Sequence, residues 1–211
     1  MGEIDDGRAG QKARTRGTLL EAARRLMDEG AMVSVTAAAE VAGISKATAY
    51  RYFSDPQTLT IEAILDARMQ PIEVILGDAT DARERVQRVR RFLFALTRDS
   101  EAQFRQFMAR SMEFWLAHRG NAVEMVRGGR RLPMYREALA PLADVLGPEK
   151  LDRLVLMLAA TSGMESFLAL KDVCRLDDAT ADATAEAITD AILDRFLPEP
   201  AEFSAADVAE R

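Results

Sequence analysis

The sequence predicts an all-α protein, with an N-terminal three-helix helix-turn-helix domain followed by a larger helical domain (about nine helices). Composition supports this class, because 48% of the 211 residues are apolar, only 12 are glycine and 7 are proline, and strong helix formers dominate. Apolar residues also recur at spacings of three and four, as on a helix face. A chain of this length can bury a sizeable core in one or two domains.

Composition and spacing divide the chain into five segments. They are a flexible arm (1–11), a helix-turn-helix domain (12–55), a connecting helix (56–76), a second domain (77–198) and a tail (199–211). The arm is expected to be flexible because it holds three glycines and has no apolar face. A first helix follows it, with an apolar face that consists of Leu19, Ala22, Ala23, Leu26 and Met27.

Residues 34 to 53 carry the most informative pattern in the chain. Ser34 can cap a short helix with a small alanine face, and Gly43 ends that helix where a positive φ is needed. Ser45 can cap a second helix almost at once, with Ile44 filling the angle between the two. This pattern is typical of a helix-turn-helix.

The second helix of this pair is expected to turn a polar face outward while Ala49 and Tyr52 face inward. The outward residues are Lys46, Ala47, Thr48, Tyr50 and Arg51. Such side chains at an exposed helix start bond both phosphate oxygens and base edges in the DNA major groove. The alternative is an ordinary helical hairpin with solvated basic residues, which helix-turn-helix geometry alone does not exclude.

Residues 42 to 53 read Ala-Gly-Ile-Ser-Lys-Ala-Thr-Ala-Tyr-Arg-Tyr-Phe. With one helix before it and another after it, this run resembles the DNA-binding domain of the TetR (tetracycline repressor) family of bacterial regulators over residues 12 to 67. The resemblance implies a homodimer on a palindromic operator, and a fourth helix that transmits effector binding to the DNA-reading heads. The sequence departs from the family pattern at Ala38, Ala49 and Pro56, where isoleucine, leucine and lysine are usual.

The formal net charge of −6 is unevenly distributed. Residues 8 to 56 hold eight Lys or Arg against five acids, a balance of +3, whereas residues 57 to 211 hold 20 against 26, a balance of −6. Positive charge is therefore concentrated where DNA would lie. Arginines near the start of the first helix either follow the phosphate backbone or are simply solvated. The DNA-contact candidates are Arg14, Arg16, Thr36, Lys46, Ala47, Thr48, Tyr50 and Arg51.

Beyond the connecting helix, which is expected to kink near Pro71, helices are predicted at residues 82 to 97 and 101 to 118. Five arginines lie on the first of these and a sixth follows directly after it. They are Arg83, Arg85, Arg88, Arg90, Arg91 and Arg98. They suggest either a second nucleic-acid surface or, as we favour, a solvated face that pairs with nearby acids.

The helix at 101 to 118 carries a broad stripe of aromatic and methionine side chains. The stripe is either filled core or the lining of a cavity for an apolar ligand. The family resemblance implies an effector pocket among these central helices, and therefore a small, largely apolar effector. The effector-binding candidates are Phe104, Phe107, Met108, Met112, Trp115, Met164 and Phe167.

Glycines between residues 120 and 129 separate this helix from the next, which is expected to end before Gly147 and Pro148. From residue 154 to 170 only Glu165 is charged, so a single amphipathic stripe cannot account for the run and burial on both faces is required. With the last helix, at about 180 to 197, this run looks like the four-helix dimer interface of the TetR family.

The alternative for these two helices is the internal core of a monomer. The dimer-interface candidates are Leu154, Leu158, Ser162, Glu165, Ile188, Ile192 and Phe196.

Residues for catalysis or metal binding are sparse. Cys174 is the sole cysteine and His118 the sole histidine, so neither a disulfide nor a metal-ligand cluster is expected, and no glycine-rich phosphate loop occurs. We therefore predict no catalytic residue, metal, cofactor or enzymatic activity. Glu113 and Glu165 lie on apolar helices. They either answer a cationic or hydroxylated ligand or, as we favour, form ion pairs with Arg110 and Arg153. The chain has no export signal and no membrane span, so a cytoplasmic location is expected.

These observations predict a DNA-binding transcriptional regulator, a repressor that a small apolar effector releases from a palindromic operator. Its partners would be double-stranded DNA, that effector and a second copy of the chain, with no membrane. The alternatives are an architectural DNA binder that responds to no effector, and a small all-helical ligand carrier or enzyme. A sizeable cavity beside Met112 and Trp115 would disfavour the architectural alternative.

Overall fold

The computed structural model describes residues 3–118 and 129–197. These residues form eleven α-helices and contain no β-strand, which confirms the predicted all-α class. The helices are α1 (Glu3–Asp28), α2 (Val35–Ala42), α3 (Lys46–Tyr52), α4 (Pro56–Ala67), α5 (Ile72–Leu76), α6 (Ala82–Asp99), α7 (Glu101–His118), α8 (Arg131–Ala138), α9 (Ala143–Thr161), α10 (Met164–Leu168) and α11 (Asp178–Phe196). A 3-10 turn (Ala140–Leu142) precedes α9 and a π-turn (Ala169–Val173) follows α10.

Some expectations lie outside the described residues. They concern the first two residues of the arm, the glycines up to residue 128, the tail at 199–211 and the side chain of His118.

The chain divides into two compact units. Unit 1 comprises Met1–Met69 and Ser100–Arg127, and unit 2 comprises Gln70–Asp99 and Gly128–Arg211. This division differs from the boundaries expected at residues 55 and 76, because α4 and α7 both belong to the unit that contains the helix-turn-helix.

Helices α1 to α4 of unit 1 enclose one apolar core. It contains Leu19, Leu20, Ala22, Ala23, Leu26, Val35, Ala38, Ala39, Ala49, Phe53, Leu59 and Ala63. Ala38 and Ala49, two positions where the sequence departs from the TetR pattern, are fully buried in it. The small side chains allow the backbones of neighbouring helices to approach closely.

Two ion pairs fasten α4 to α1. Arg16 pairs with Glu62, and Arg24 pairs with Asp66. The two helices also pack against each other. Because these contacts involve the second half of α4, this helix is part of the helix-turn-helix domain rather than a free connector.

Helix α7 packs on α4 in the opposite direction. Arg68, just after α4, donates a hydrogen bond to Ser100, just before α7, whereas Arg110 donates to Gln57 at the start of α4. The last two turns of α7 therefore extend beyond Pro56, where α4 begins.

Two helix boundaries differ from the prediction. Helix α1 begins at Glu3, so the segment expected to be a flexible arm continues the first helix; each glycine costs a helix only about 1 kcal/mol relative to alanine. The helix expected at 56 to 76 is two helices, α4 and α5. They are separate because Pro71 lacks an N–H group and disfavours a helical conformation in the residue before it.

In unit 2, α6 packs against α5, α8, α10 and α11, while α9 packs against α8 and α11. An apolar cluster between α6, α10 and α11 contains Phe94, Phe167, Leu170, Ala181 and Ala185. The rings of Phe94 and Phe167 meet edge to face with centroids 5.0 Å apart.

The arginines of α6 are paired with acids, as we favoured from the sequence. The pairs are Arg83 with Asp190 and Asp194, Arg85 with Glu137, Arg88 with Asp78 and Glu84, Arg91 with Glu84, and Arg98 with Asp99. The sixth, Arg90, pairs with Asp182 but is only 1% exposed, so it lies in the core and not on the solvated face.

Helix α9 contains one interruption, which the sequence predicts. A second interruption follows its last residue, and the sequence does not predict it. Gly147, with φ 70°, breaks the helical backbone just before Pro148, as expected. The long apolar run, however, is broken again at Ser162 and Gly163, between α9 and α10.

Side-chain donors bond the carbonyl oxygens of the last turn of α9, next to this second break. Thr161 Oγ1 donates to Met157 O (2.8 Å), Ser162 Oγ to Leu158 O (2.6 Å), Arg131 Nη1 to Ala159 O (2.9 Å) and Ser166 Oγ to Ala160 O (3.2 Å). Four side chains thus stabilise the end of α9 at the break.

No single helix of the described residues is long and apolar enough to cross a membrane. The segments Ala140–Thr161 and Met164–Val173 reach that length and composition only as a pair, which is bent by 43°.

Candidate nucleic-acid interface

Helix α2 and the turn after it adopt the capped geometry that the sequence predicts. The Ser34 hydroxyl accepts a hydrogen bond from the Ala37 amide at 3.0 Å, which satisfies one free N–H group of the first turn. Gly43 adopts φ 66°, and the amide of Ile44 then reaches back to Ala39 O at 2.9 Å. This left-handed C-cap turns the chain sharply enough for α3 to start three residues later.

Helix α3 is anchored on one side and open on the other. The Ser45 hydroxyl caps it by accepting from the Thr48 amide at 3.2 Å. Ala49 is fully buried in the core of unit 1 and Tyr52 packs against that core. The orientation of α3 is therefore fixed by its inner face, and its outer side chains are held at defined positions.

The outer face of α3 carries the predicted contact residues. Lys46, Ala47 and Arg51 are exposed, and Tyr50 is 51% exposed. Thr48 is half-buried; its oxygen accepts from the Ser45 hydroxyl at 2.9 Å, which leaves the threonine hydrogen available for donation. Two cations, a phenol and a hydroxyl thus share one solvent-facing surface, which suits both phosphate and base contacts.

Glu40 of α2 adds a contact that the sequence interpretation missed. Its carboxylate pairs with Lys46 Nζ at 3.1 Å, and both side chains are mostly exposed. An exposed pair of this kind contributes at most about 1 kcal/mol, so a phosphate can displace the carboxylate. The sequence signal was the spacing of six residues across the turn, which brings the two helix faces together.

The remaining DNA-contact candidates differ in accessibility. Arg14 is exposed and Thr36, on α2, is half-buried. Arg16 is not available for DNA: it is 6% exposed, pairs with Glu62, and lies over the Phe53 ring at 4.6 Å. The prediction of a backbone contact by Arg16 is therefore wrong. Its side chain leaves α1 toward α4, where a buried carboxylate and an aromatic face receive it.

Asp55 fixes the start of α4, next to α3. Its carboxylate accepts from the Thr58 amide at 2.8 Å and from the Thr58 hydroxyl at 2.7 Å. Partial burial acts to raise the pKa of Asp55, but the hydrogen bonds from Thr58 and Gln57, together with the charge of Arg110, outweigh it and hold that pKa below its ordinary value. Asp55 is therefore an ionised N-cap at neutral pH, and Pro56 occupies the first helical position.

The effector-binding candidates are divided between the two units. Phe104, Phe107, Met108, Met112 and Trp115 belong to unit 1, whereas Met164 and Phe167 belong to unit 2. Phe107 is buried, but Met112 and Trp115 are 55% and 61% exposed. Both of these exposed residues belong to the half of α7 that extends beyond the start of α4. Phe167 packs on Phe94 in the core of unit 2.

The dimer-interface candidates also divide. Leu154, Leu158 and Ile192 are buried within their own chain, which makes them core and not interface; Ser162, Glu165 and Phe196 are half-buried, and Ile188 is 39% exposed. Glu113 pairs with Arg110 at 3.1 Å, as expected, whereas Glu165 pairs with Arg131 at 3.2 Å and not with Arg153, because the chain bends after α9 and Arg131 of α8 lies there. In the part of α9 after Gly147, the large apolar side chains that do face outward are Leu156, 59% exposed, and Met157, 36% exposed.

Comparisons with known proteins add limited information. No known family model and no curated protein matches the sequence. Among solved structures, the chain is similar to a TetR transcriptional regulator from Rhodococcus sp. RHA1, with 19% identity and a TM-score of 0.47; the match covers 87% of this chain and 98% of that chain. Function must therefore be inferred from the residues of this chain.

Proposed function

We propose that this protein is a DNA-binding transcriptional regulator that presents the outer face of α3 to the major groove. The observation that carries the proposal is the exposed set Lys46, Tyr50 and Arg51 on a helix whose opposite face is buried. A helix held in this way loses little conformational freedom when it binds, and its cations neutralise phosphates.

We further infer that the protein acts as a homodimer. Two copies would associate through the outward faces of α9 and α11, which carry Leu156, Met157 and Ile188. A two-fold dimer would then present two copies of α3 to a palindromic operator, with the helices about 34 Å apart, one turn of the duplex.

The regulatory part of the proposal is release by a small molecule bound in unit 2. The effector would bind more tightly to a conformation in which the two α3 helices are wrongly spaced for the operator. Operator affinity then falls by a factor that depends on how much more tightly the effector binds this conformation than the DNA-binding one. In this scheme the protein is a non-enzymatic repressor.

The proposal is tested by selecting bound fragments from genomic or random DNA and measuring the affinity of the selected site. Changing Tyr50 and Arg51 together to alanine should lower that affinity at least 100-fold, because each lost contact in each subunit removes about 1–3 kcal/mol. Raising the salt concentration should weaken binding steeply through counterion release.

The matched control is Arg98→Ala, which removes an exposed arginine from unit 2 and should leave affinity unchanged. Retained affinity in the Tyr50 and Arg51 double variant, with its fold and mass intact, would remove α3 from the binding surface. Binding without any sequence preference would instead support an architectural role.

A further inference from the structure

Arg90 of α6 is an arginine in the interior of unit 2 with part of its donor capacity unused. Its Nε donates to Gln87 Oε1 at 2.7 Å, and its Nη1 donates to Asp182 Oδ1 at 2.5 Å. Its second terminal nitrogen, Nη2, is buried and has no hydrogen-bond partner among the described residues. Two N–H groups of a cation that is 1% exposed therefore remain unsatisfied.

Tyr135 of α8 is a second buried donor in the same unit. Its side chain is fully buried, and within the described part of the chain its hydroxyl has no hydrogen-bond partner. Burial raises the pKa of Tyr135 to about 12, against the opposing influence of the nearby Ser162 hydroxyl and of the charges of Arg90 and Arg131. The phenol is therefore protonated at neutral pH and can donate.

The two donors lie in one neighbourhood. Arg90 belongs to α6 and Tyr135 to α8, and these two helices pack against each other within unit 2. The neighbouring polar groups already have partners: Arg131 bonds Ala159 O and Glu165, and Ser162 donates to Leu158 O. Among the buried side-chain atoms of unit 2 that the structure describes, Arg90 Nη2 and the Tyr135 hydroxyl are the two without a hydrogen-bond partner.

Leaving such groups unpaired is costly, more so for a charged group than for a neutral one. An acceptor that satisfies three hydrogens at once removes this penalty. A carboxylate has two oxygens with about four lone-pair positions, and its bonds to a guanidinium are charge-assisted. A neutral acceptor forms weaker hydrogen bonds with these donors, because it carries no charge opposite to that of the guanidinium.

We propose that Arg90 and Tyr135 form the binding site for the carboxylate of a small-molecule ligand inside unit 2. Phe94 lies one helical turn after Arg90 and belongs, with Phe167 and Leu170, to the apolar cluster of this unit. The ligand is therefore an amphipathic carboxylic acid, with its acid group on the two donors and its hydrocarbon part against this cluster. The inference rests on the proposed function, since it names the chemical class of the effector.

The test measures direct binding to the full-length chain in the absence of DNA. The probes are unbranched monocarboxylates from hexanoate to dodecanoate, each compared with the primary alcohol of the same length by titration calorimetry. The best carboxylate should bind at least about tenfold more tightly than its alcohol, because a hydrogen bond to a charged group is worth more than a neutral one.

Two variants connect this preference to the proposed donors. Tyr135→Phe removes one hydroxyl without changing the ring, and Arg90→Lys keeps the charge beside Asp182 while it removes the Nη2 donors. Each should weaken the carboxylate about tenfold and leave the alcohol unchanged. The control, Arg91→Lys, changes the adjacent exposed arginine of α6 and should leave both affinities unchanged.

Three results would overturn the inference. They are equal affinity for acid and alcohol, unchanged carboxylate affinity in a folded Tyr135→Phe variant, and a crystal structure with only a water molecule on the two donors at about 1 mM of every probe. These results are independent of the proposed function. If the chain binds carboxylates but no DNA, only the proposed regulatory function is refuted. If it binds an operator but shows no preference for carboxylates, only this inference is refuted.

Discussion

Arg16 holds two helices of unit 1 together and does not point toward solvent. Its guanidinium pairs with Glu62 of α4 and lies over the ring of Phe53, while Arg14, two residues earlier on α1, is exposed. Two residues along a helix correspond to opposite sides of it, so neighbouring arginines have different roles.

Removing the Arg16 side chain should therefore destabilise the protein. Arg16→Ala leaves the Glu62 carboxylate largely buried without its cation, and we expect the free energy of unfolding of unit 1 to fall by about 3 kcal/mol. Denaturant titration measures this change. Arg14→Ala is the control on the same helix, and should change stability by less than about 0.5 kcal/mol. Equal effects of the two substitutions would show that Arg16 is not a structural residue.

Residues whose role depends on close neighbours in sequence were predictable, and those with distant partners were not. Ser34, Gly43 and Ser45 act on amides within a few residues, so spacing alone identifies them as caps. Arg16 pairs with a residue 46 positions away, and Arg90 with one 92 positions away. No local pattern reveals such pairs.

At the scale of elements, the break between α9 and α10 is the feature that the sequence hides most effectively. Apolar composition from residue 154 to 170 predicts one long helix, and glycine or serine alone does not end a helix. The break is stable because Arg131, from α8, bonds Ala159 O and Glu165 on either side of it. A β-carbon on Gly163 would overlap the guanidinium of Arg131, so any larger residue there forces this side chain to move.

This arrangement predicts an energetic coupling between two residues. Gly163→Ala should displace the guanidinium and lower the free energy of unfolding by about 1–2 kcal/mol through lost hydrogen bonds. The same substitution in an Arg131→Ala background should cost much less, because the obstructing group is gone. A double-mutant cycle in urea measures the difference.

The control for the cycle is Gly129→Ala, where an added β-carbon meets no atom within 4 Å. It should change stability by less than about 0.5 kcal/mol. If Gly163→Ala lowers the free energy of unfolding equally in both backgrounds, the glycine is needed for the backbone conformation and not to make room for the guanidinium of Arg131.

At the scale of the whole molecule, the sequence identified which helices would carry an apolar outer face but not which residues. The run in α9 is apolar on all sides, so periodicity could not decide between its faces. In the structure, Leu154 and Leu158 point into unit 2, and Leu156 and Met157 point outward. Packing of α9 on α8 and α11 sets this rotation, and such tertiary contacts are absent from any local pattern.

The outward face leads to a prediction about assembly. The wild-type chain should sediment at twice its mass of 23.3 kDa at micromolar concentration. Leu156→Asp should convert it to a folded monomer, because a two-fold interface would bring two carboxylates into one apolar contact and desolvate both. Operator affinity should fall with it, since each monomer can occupy only one half-site.

The control for this experiment is Val74→Asp on α5, which changes a side chain that is 64% exposed and lies outside the α9 and α11 face. It should leave the sedimenting mass at the dimer value. If the Leu156→Asp chain remains dimeric, the interface does not involve α9. If the wild-type chain is monomeric, the homodimer proposal is wrong, but the proposed DNA-contact surface of α3 is not affected. The two proposals are therefore tested separately, one by mass and the other by affinity for a half-site.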